Sequence, residues 1–163
     1  MKVAIITSSD SASLGLREDG SGPIIQGIVE RLGAEVVFYA VLPDEKEQLI
    51  RAMADIADRG AAELILTTGG TGFSPRDCMP EATLEIVERQ VPGIPEAMRA
   101  YSMQFTGRAM LSRAMAGIRK QTLIVNLPGS PKAVSETLEY IYPQLEHGVA
   151  ILTGAVTDCA RKG

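Results

Sequence analysis

Between Leu66 and Glu81 the chain reads LTTGGTGFSPRDCMPE: a short apolar run, three glycines in four residues at Gly69, Gly70 and Gly72, and then the pair Arg76-Asp77. Glycine reaches backbone angles closed to other residues and lets a ligand come close to the main chain. Successive N–H groups in such a turn make a concave anion site, and the dipole of a helix starting just beyond it adds to the attraction. Pro80-Glu81 suits that helix start, because proline there gives up only an N–H that has no intrahelical partner. Strand, glycine cradle, one charge of each sign and a helix start are the parts of a site for a phosphate and a metal. A tight turn between a strand and a helix would read much the same. Neither common phosphate-loop pattern fits, since no Lys follows the glycines and G-x-G-x-x-G is absent from this loop.

A second loop weighs against an accidental turn. The strand-type run TLIV at 122–125 leads into Asn126-Leu127-Pro128-Gly129-Ser130-Pro131-Lys132, and a long helical pattern follows. A glycine, the Ser130 hydroxyl, the Asn126 amide and the Lys132 ammonium thus gather at the carboxyl end of a strand. Ligands of open α/β sheets bind in crevices at those ends.

The elements that must carry these loops alternate along the chain. Strands are expected at KVAIIT, AEVVFYAV, ELILT and TLIVN. Helices are expected over 22–32, 44–58, 80–89 and 93–105, and after the second loop, where Pro143 should kink or restart the last one. In 44–58, Leu49, Ile50, Met53, Ile56 and Ala57 recur at helical spacing and form a core face. Such alternation predicts one three-layer α/β/α domain over 1–163, with a mostly parallel sheet covered by helices on both faces.

Composition sets limits on the partners. With 163 residues, 45% of them hydrophobic, the chain can bury one core. A formal charge of -4 argues against a general nucleic-acid binder. No Asp or Glu occurs from Ala97 to Ser135, while Arg99, Arg108, Arg113, Arg119, Lys120 and Lys132 do. That stretch is either a local positive surface for a small anion or a solvated basic face paired with acids elsewhere. Cys78 and Cys159 form no spaced pair, and His147 is the single histidine, so no zinc site is expected and a reducing cytosol suits the chain. Met98, Met103, Met110 and Met115 read as packing. No apolar run approaches the roughly 18 residues of a membrane span.

The motif GGTGFSPRD-x-x-PEAT, with Ser112-Arg113 and AGIRKQTLIVNLPGSPKAV downstream, closely resembles the molybdopterin adenylyltransferase family of molybdenum-cofactor biosynthesis. Further matches are KVAIIT before Ser9-Asp10, then Asp19-x-Ser21-Gly22-Pro23, and Leu42-Pro43-Asp44-Glu45, so the resemblance spans nearly the whole chain. It implies a molybdopterin-binding-like fold, a homotrimer, and transfer of the AMP part of ATP to the terminal phosphate of molybdopterin with release of pyrophosphate. A downstream molybdate-inserting enzyme would take the product. Such a transfer needs two anions positioned in line and their charge neutralised, with no protein nucleophile.

By the same resemblance, Asp77 and Asp44 are the catalytic carboxylates that hold Mg2+, an ion that prefers oxygen ligands. Asp44 reads equally well as a helix N-cap, with Glu47 at the capping-box position. Ser9 and Asp10 would touch nucleotide, although Asp10 could instead cap a turn. Thr71 and Ser130 offer hydroxyls, Asn126 an amide, Pro128 and Gly129 close backbone approach, and Ser112 with Arg113 would lie near the second substrate. The family usually reads R-D-x-T-P-E where this chain has Arg76-Asp77-Cys78-Met79-Pro80-Glu81, so Met79 predicts a lost helix cap. A pterin-binding paralogue without activity and a regulatory nucleotide-binding module are the alternative readings.

Overall fold

The computed structural model describes residues 1–156; Cys159 and the end of the expected domain lie outside the described residues. Strands β1 (Lys2–Ser8), β2 (Glu35–Leu42), β3 (Leu64–Thr68) and β6 (Thr122–Leu127) run parallel, and β5 (Ala116–Arg119) and β4 (Arg89–Gln90) extend the sheet antiparallel, in the order β2-β1-β3-β6-β5-β4. Helices α2 (Gly22–Arg31), α3 (Lys46–Asp58), α4 (Met79–Ile86), α5 (Gly93–Ser102) and α6 (Pro131–Leu152) cover it, and α1 (Asp10–Ser13) is a single turn.

Both faces of the sheet are buried, which is why β1, β3 and β6 read as unbroken apolar runs rather than alternating ones. Val3, Ile5, Leu64 and Leu66 pack with Ile25, Val29, Leu138 and Leu145 of α2 and α6. Ala4, Ile6, Ile65 and Ile124 face the other way onto Leu49, Met53, Met79 and Ile86 of α3 and α4. Among the described residues no helix is long and apolar enough to cross a membrane.

Several expected boundaries shift. The helix expected over 80–89 begins at Met79 and stops at Ile86, and Arg89–Gln90 becomes an edge strand. Met79 is therefore the first helical residue, fully buried in the core, and Cys78 holds the cap position without a side-chain bond. The helix expected over 93–105 ends at Ser102, and a 3-10 turn, Gly107–Leu111, follows. Strand β5, hidden in the basic stretch, pairs with β6 through a turn in which Lys120 takes a φ of 51°. Helix α6 runs unbroken through Pro143, whose exposed position leaves the freed Glu139 carbonyl on the wet face. Helix α3 starts at Lys46 behind Glu45, so Asp44 is not its N-cap.

Candidate active site

Thr7 pairs with Thr68, Thr68 with Leu127, and Ser8 with Leu42, so all four parallel strands end at one edge. The loops that leave this edge meet there. Gly69 has a φ of 88°, and a Cβ on it would collide with the Ser8 carbonyl, so only glycine lets the β3 loop pass this close to the β1 loop. Beyond it, among the described residues, no protein acceptor takes the N–H groups of Thr71, Gly72 or Phe73. Three neighbouring unpaired donors at a strand end are groups that an anion can take up.

Two carboxylates flank the cradle. Asp44 Oδ1 accepts the Ser8 hydroxyl at 2.5 Å and Oδ2 accepts the Asp10 N–H at 3.0 Å, while the Asp44 N–H donates back to Asp10 Oδ1 at 3.0 Å. Asp44 thus ties the β2 loop to the β1 loop. Its Oδ1 lies 3.4 Å from where a Cβ on Gly70 would be. On the other side Asp77 Oδ2 lies 2.9 Å from the corresponding point on Gly72 and accepts the Ser74 N–H at 2.9 Å. Each carboxylate keeps acceptor capacity beyond these bonds.

Arg76 and Asp10 pair with each other rather than standing open to a ligand. Arg76 donates through Nε and Nη2 to the two oxygens of Asp10, each at 3.0 Å, and through Nη2 to Glu45 at 2.7 Å. The guanidinium holds the Asp10 carboxyl below its usual range, and the two acids raise the Arg76 pKa in turn. Ser9 caps α1 by accepting the Ala12 N–H at 3.2 Å. Asn126, expected to offer its amide to substrate, is fully buried, accepts the Met115 N–H at 3.1 Å, and donates to Thr67 and Thr83 at 3.0 and 2.8 Å. Arg113 faces the loop as well, donating to the carbonyls of Gly72 and Asp77.

Two clefts open on either side of the Gly69–Gly129 approach. The larger, about 300 Å³, is lined by Thr71, Gly72, Ser112, Pro128, Gly129 and Ser130 against Met98, Arg108 and Leu111. The smaller, about 120 Å³, is lined by Thr7, Ser8, Ser9, Asp19 and Ser21 together with Gly69 and Gly129. The Ser130 hydroxyl makes no capping bond to α6. Lys132 lines neither cleft; its side chain is 84% exposed, 4.0 Å from Glu136.

Three residues were not assigned from the sequence. Arg108 lines the larger cleft, and among the described residues its guanidinium has no acidic partner; the acid-free stretch was its only signal. Asp19 accepts the N–H groups of Ser21 and Gly22, both at 3.0 Å, and the Thr7 hydroxyl at 2.6 Å, which pins the start of α2 to the end of β1. Burial works against its charge, but these bonds and one from the Tyr39 hydroxyl hold its pKa below the ordinary value. Tyr39 is pushed up to about 12 by burial and by Asp19. Burial pushes up the pKa of the Cys78 thiol, which favours its neutral form.

Residues 4–147 match the family described as a probable molybdopterin binding domain. The chain belongs to that family. It is 37% identical over 154 residues to the molybdopterin adenylyltransferase of Helicobacter pylori, covering 93% of this chain and 88% of the relative. The Haemophilus influenzae protein of the same name is 40% identical over 141 residues, 85% of this chain and 72% of that one. The crystal structure of the molybdopterin biosynthesis enzyme MoaB from Thermus thermophilus superposes with a TM-score of 0.87 at 44% identity, covering 94% and 96% of the two chains.

The resemblance implies magnesium at this site. Among the described residues no group of three or more His, Cys, Asp or Glu could hold a metal. Magnesium does not need one: it keeps several waters and is commonly bound by one or two carboxylates together with substrate phosphates. Asp44 beside Gly70 and Asp77 beside Gly72 are two carboxylates of the kind that fit an ion arriving with a nucleotide.

Proposed function

We propose that this chain transfers the adenylyl group of ATP to the terminal phosphate of molybdopterin and releases pyrophosphate. The observation that carries the reading is the run of unpaired N–H groups at Thr71, Gly72 and Phe73, with two carboxylates, Asp44 and Asp77, close to the glycines of the same loop. The names of the two bacterial relatives support it.

The chain's own part in the chemistry follows from that geometry. Fixed N–H donors neutralise phosphate charge without reorganising, which is where such sites gain most of their rate. The two clefts, which share Gly129, suit two ligands whose phosphates meet between them, so that a bimolecular reaction becomes a matter of alignment. Asp44 and Asp77 would hold Mg2+, which when bound supplies charge neutralisation at the phosphoryl oxygens. The hydroxyls of Thr71 and Ser130 and the guanidinium of Arg108 would orient the anions. The family resemblance adds a homotrimer that passes its product to a molybdate-inserting enzyme, and the two unpaired cysteine positions in the sequence suit the cytoplasm.

The test is pyrophosphate release from ATP, Mg2+ and molybdopterin. Wild-type protein should turn over, and Asp77→Asn should lose at least about 10²-fold in rate with its fold kept. Wild-type turnover by Asp77→Asn would move the metal site elsewhere. Tight molybdopterin binding without pyrophosphate release would make the chain a carrier.

A further inference from the structure

Arg113 lies between the 3-10 turn Gly107–Leu111 and β5, and reaches the glycine loop from a different part of the sheet. Its backbone N–H donates to the Thr71 carbonyl at 3.0 Å. In its side chain, Nε donates to the Gly72 carbonyl at 2.7 Å, Nη2 to the Asp77 carbonyl at 2.9 Å, and Nη1 to the Glu81 carboxylate. One residue therefore holds three carbonyls of the loop and the first turn of α4.

In a trans peptide the C=O and N–H of one plane point opposite ways. Turning the carbonyls of Thr71, Gly72 and Asp77 towards Arg113 turns the N–H groups of Gly72, Phe73 and Cys78 away from it. Among the described residues no protein acceptor takes any of these three. A lysine could replace the ion pair to Glu81, but its single ammonium cannot supply the planar fork that addresses two carbonyls at once.

We infer that Arg113 is a positioning residue: it sets the peptide planes of the glycine loop so that their N–H groups face the anion, and it fixes the backbone from which Asp77 projects. This rests on the adenylyl-transfer reading of the same site. The competing role is that of a plain fastener, with the Arg113–Glu81 ion pair merely holding the loop to α4.

The experiment compares Arg113→Lys with Glu81→Gln well below both melting temperatures. Arg113→Lys should lower turnover about 10²-fold, the usual cost of disturbing fixed oxyanion donors. It should also weaken binding of magnesium pyrophosphate, read by calorimetry, by about tenfold or more. Glu81→Gln, which removes only the ion pair, should keep both within about threefold of wild type, a margin below the ~1.4 kcal/mol of a tenfold change. Wild-type rate and affinity in Arg113→Lys, or equal losses in the two variants, would overturn the inference. An arm on the unmodified protein covers a variant that fails to fold: pyrophosphate should slow amide exchange at Gly72 and Phe73, and no protection there would also overturn it. If wild-type protein binds pyrophosphate but shows no turnover, the transfer reading fails while the affinity comparison still decides the role of Arg113.

Discussion

Asp44 separates charge from shape at the scale of a single side chain. Its two oxygens accept from Ser8 and from the Asp10 backbone, so it fastens two loops while presenting a charge to the cradle. In Asp44→Asn the remaining oxygen can keep the Asp10 N–H, and the Ser8 hydroxyl can reverse to accept from the new amide. That variant should stay within about 1 kcal/mol of wild-type stability while losing magnesium-dependent turnover. Asp44→Ala leaves the Asp10 N–H without its partner and should cost about 1–3 kcal/mol in addition. Denaturant midpoints and metal-dependent rates of the two variants check this, and equal midpoints would show that Asp44 does not brace the loops. Which residue types collect at the strand ends was legible from the sequence. What each one does was not, because Arg76, Arg113 and Asn126 find partners 31 to 66 residues away and nothing local announces the pairing.

At the scale of elements, the parallel strands and most of the helices could be read because each carries a long enough apolar pattern. Strands β4 and β5, with two and four residues, carry too little pattern to outweigh the helical and basic stretches around them. Helix α4 shows how a start signal misleads. Pro80 marks the first turn, but Met79 is already helical, and its side chain is buried against Leu49, Met53 and Ile86 rather than standing where a cap would. Its N–H donates to the Gly70 carbonyl at 3.1 Å, so α4 hangs directly from the glycine loop. Met79→Thr, the residue usual in the family, should therefore lower the unfolding free energy by about 1–3 kcal/mol, read as a lower denaturant midpoint, through lost packing and a hydroxyl set in an apolar pocket. A raised midpoint would return this side chain to a capping role and shift the helix start by one residue.

On the scale of the whole molecule, the loop layer and the sheet are built as one piece. Thr68 donates to the Pro128 carbonyl at 2.6 Å, Ser21 to the Gly129 carbonyl at 2.9 Å, and Arg76 and Arg113 cross between further loops, so each strand-end loop is tied to a neighbour that arrives from a distant part of the chain. The site cannot loosen without releasing the ends of β1, β3 and β6, whose other residues form the centre of both core faces. A ligand bound to those loops should accordingly stabilise the entire fold in a single transition. With ATP and Mg2+ at about one hundred times the dissociation constant, linkage gives about 2.7 kcal/mol. For a chain of this size that corresponds to a rise in Tm of about 5 to 11 °C. Scanning calorimetry with and without a chelator measures it, and removal of the metal should withdraw most of the shift. Two resolved transitions, with only the lower one moved by ligand, would show that the loops melt independently of the sheet and that the interlocking bonds at Thr68, Ser21, Arg76 and Arg113 do not couple the site to the core.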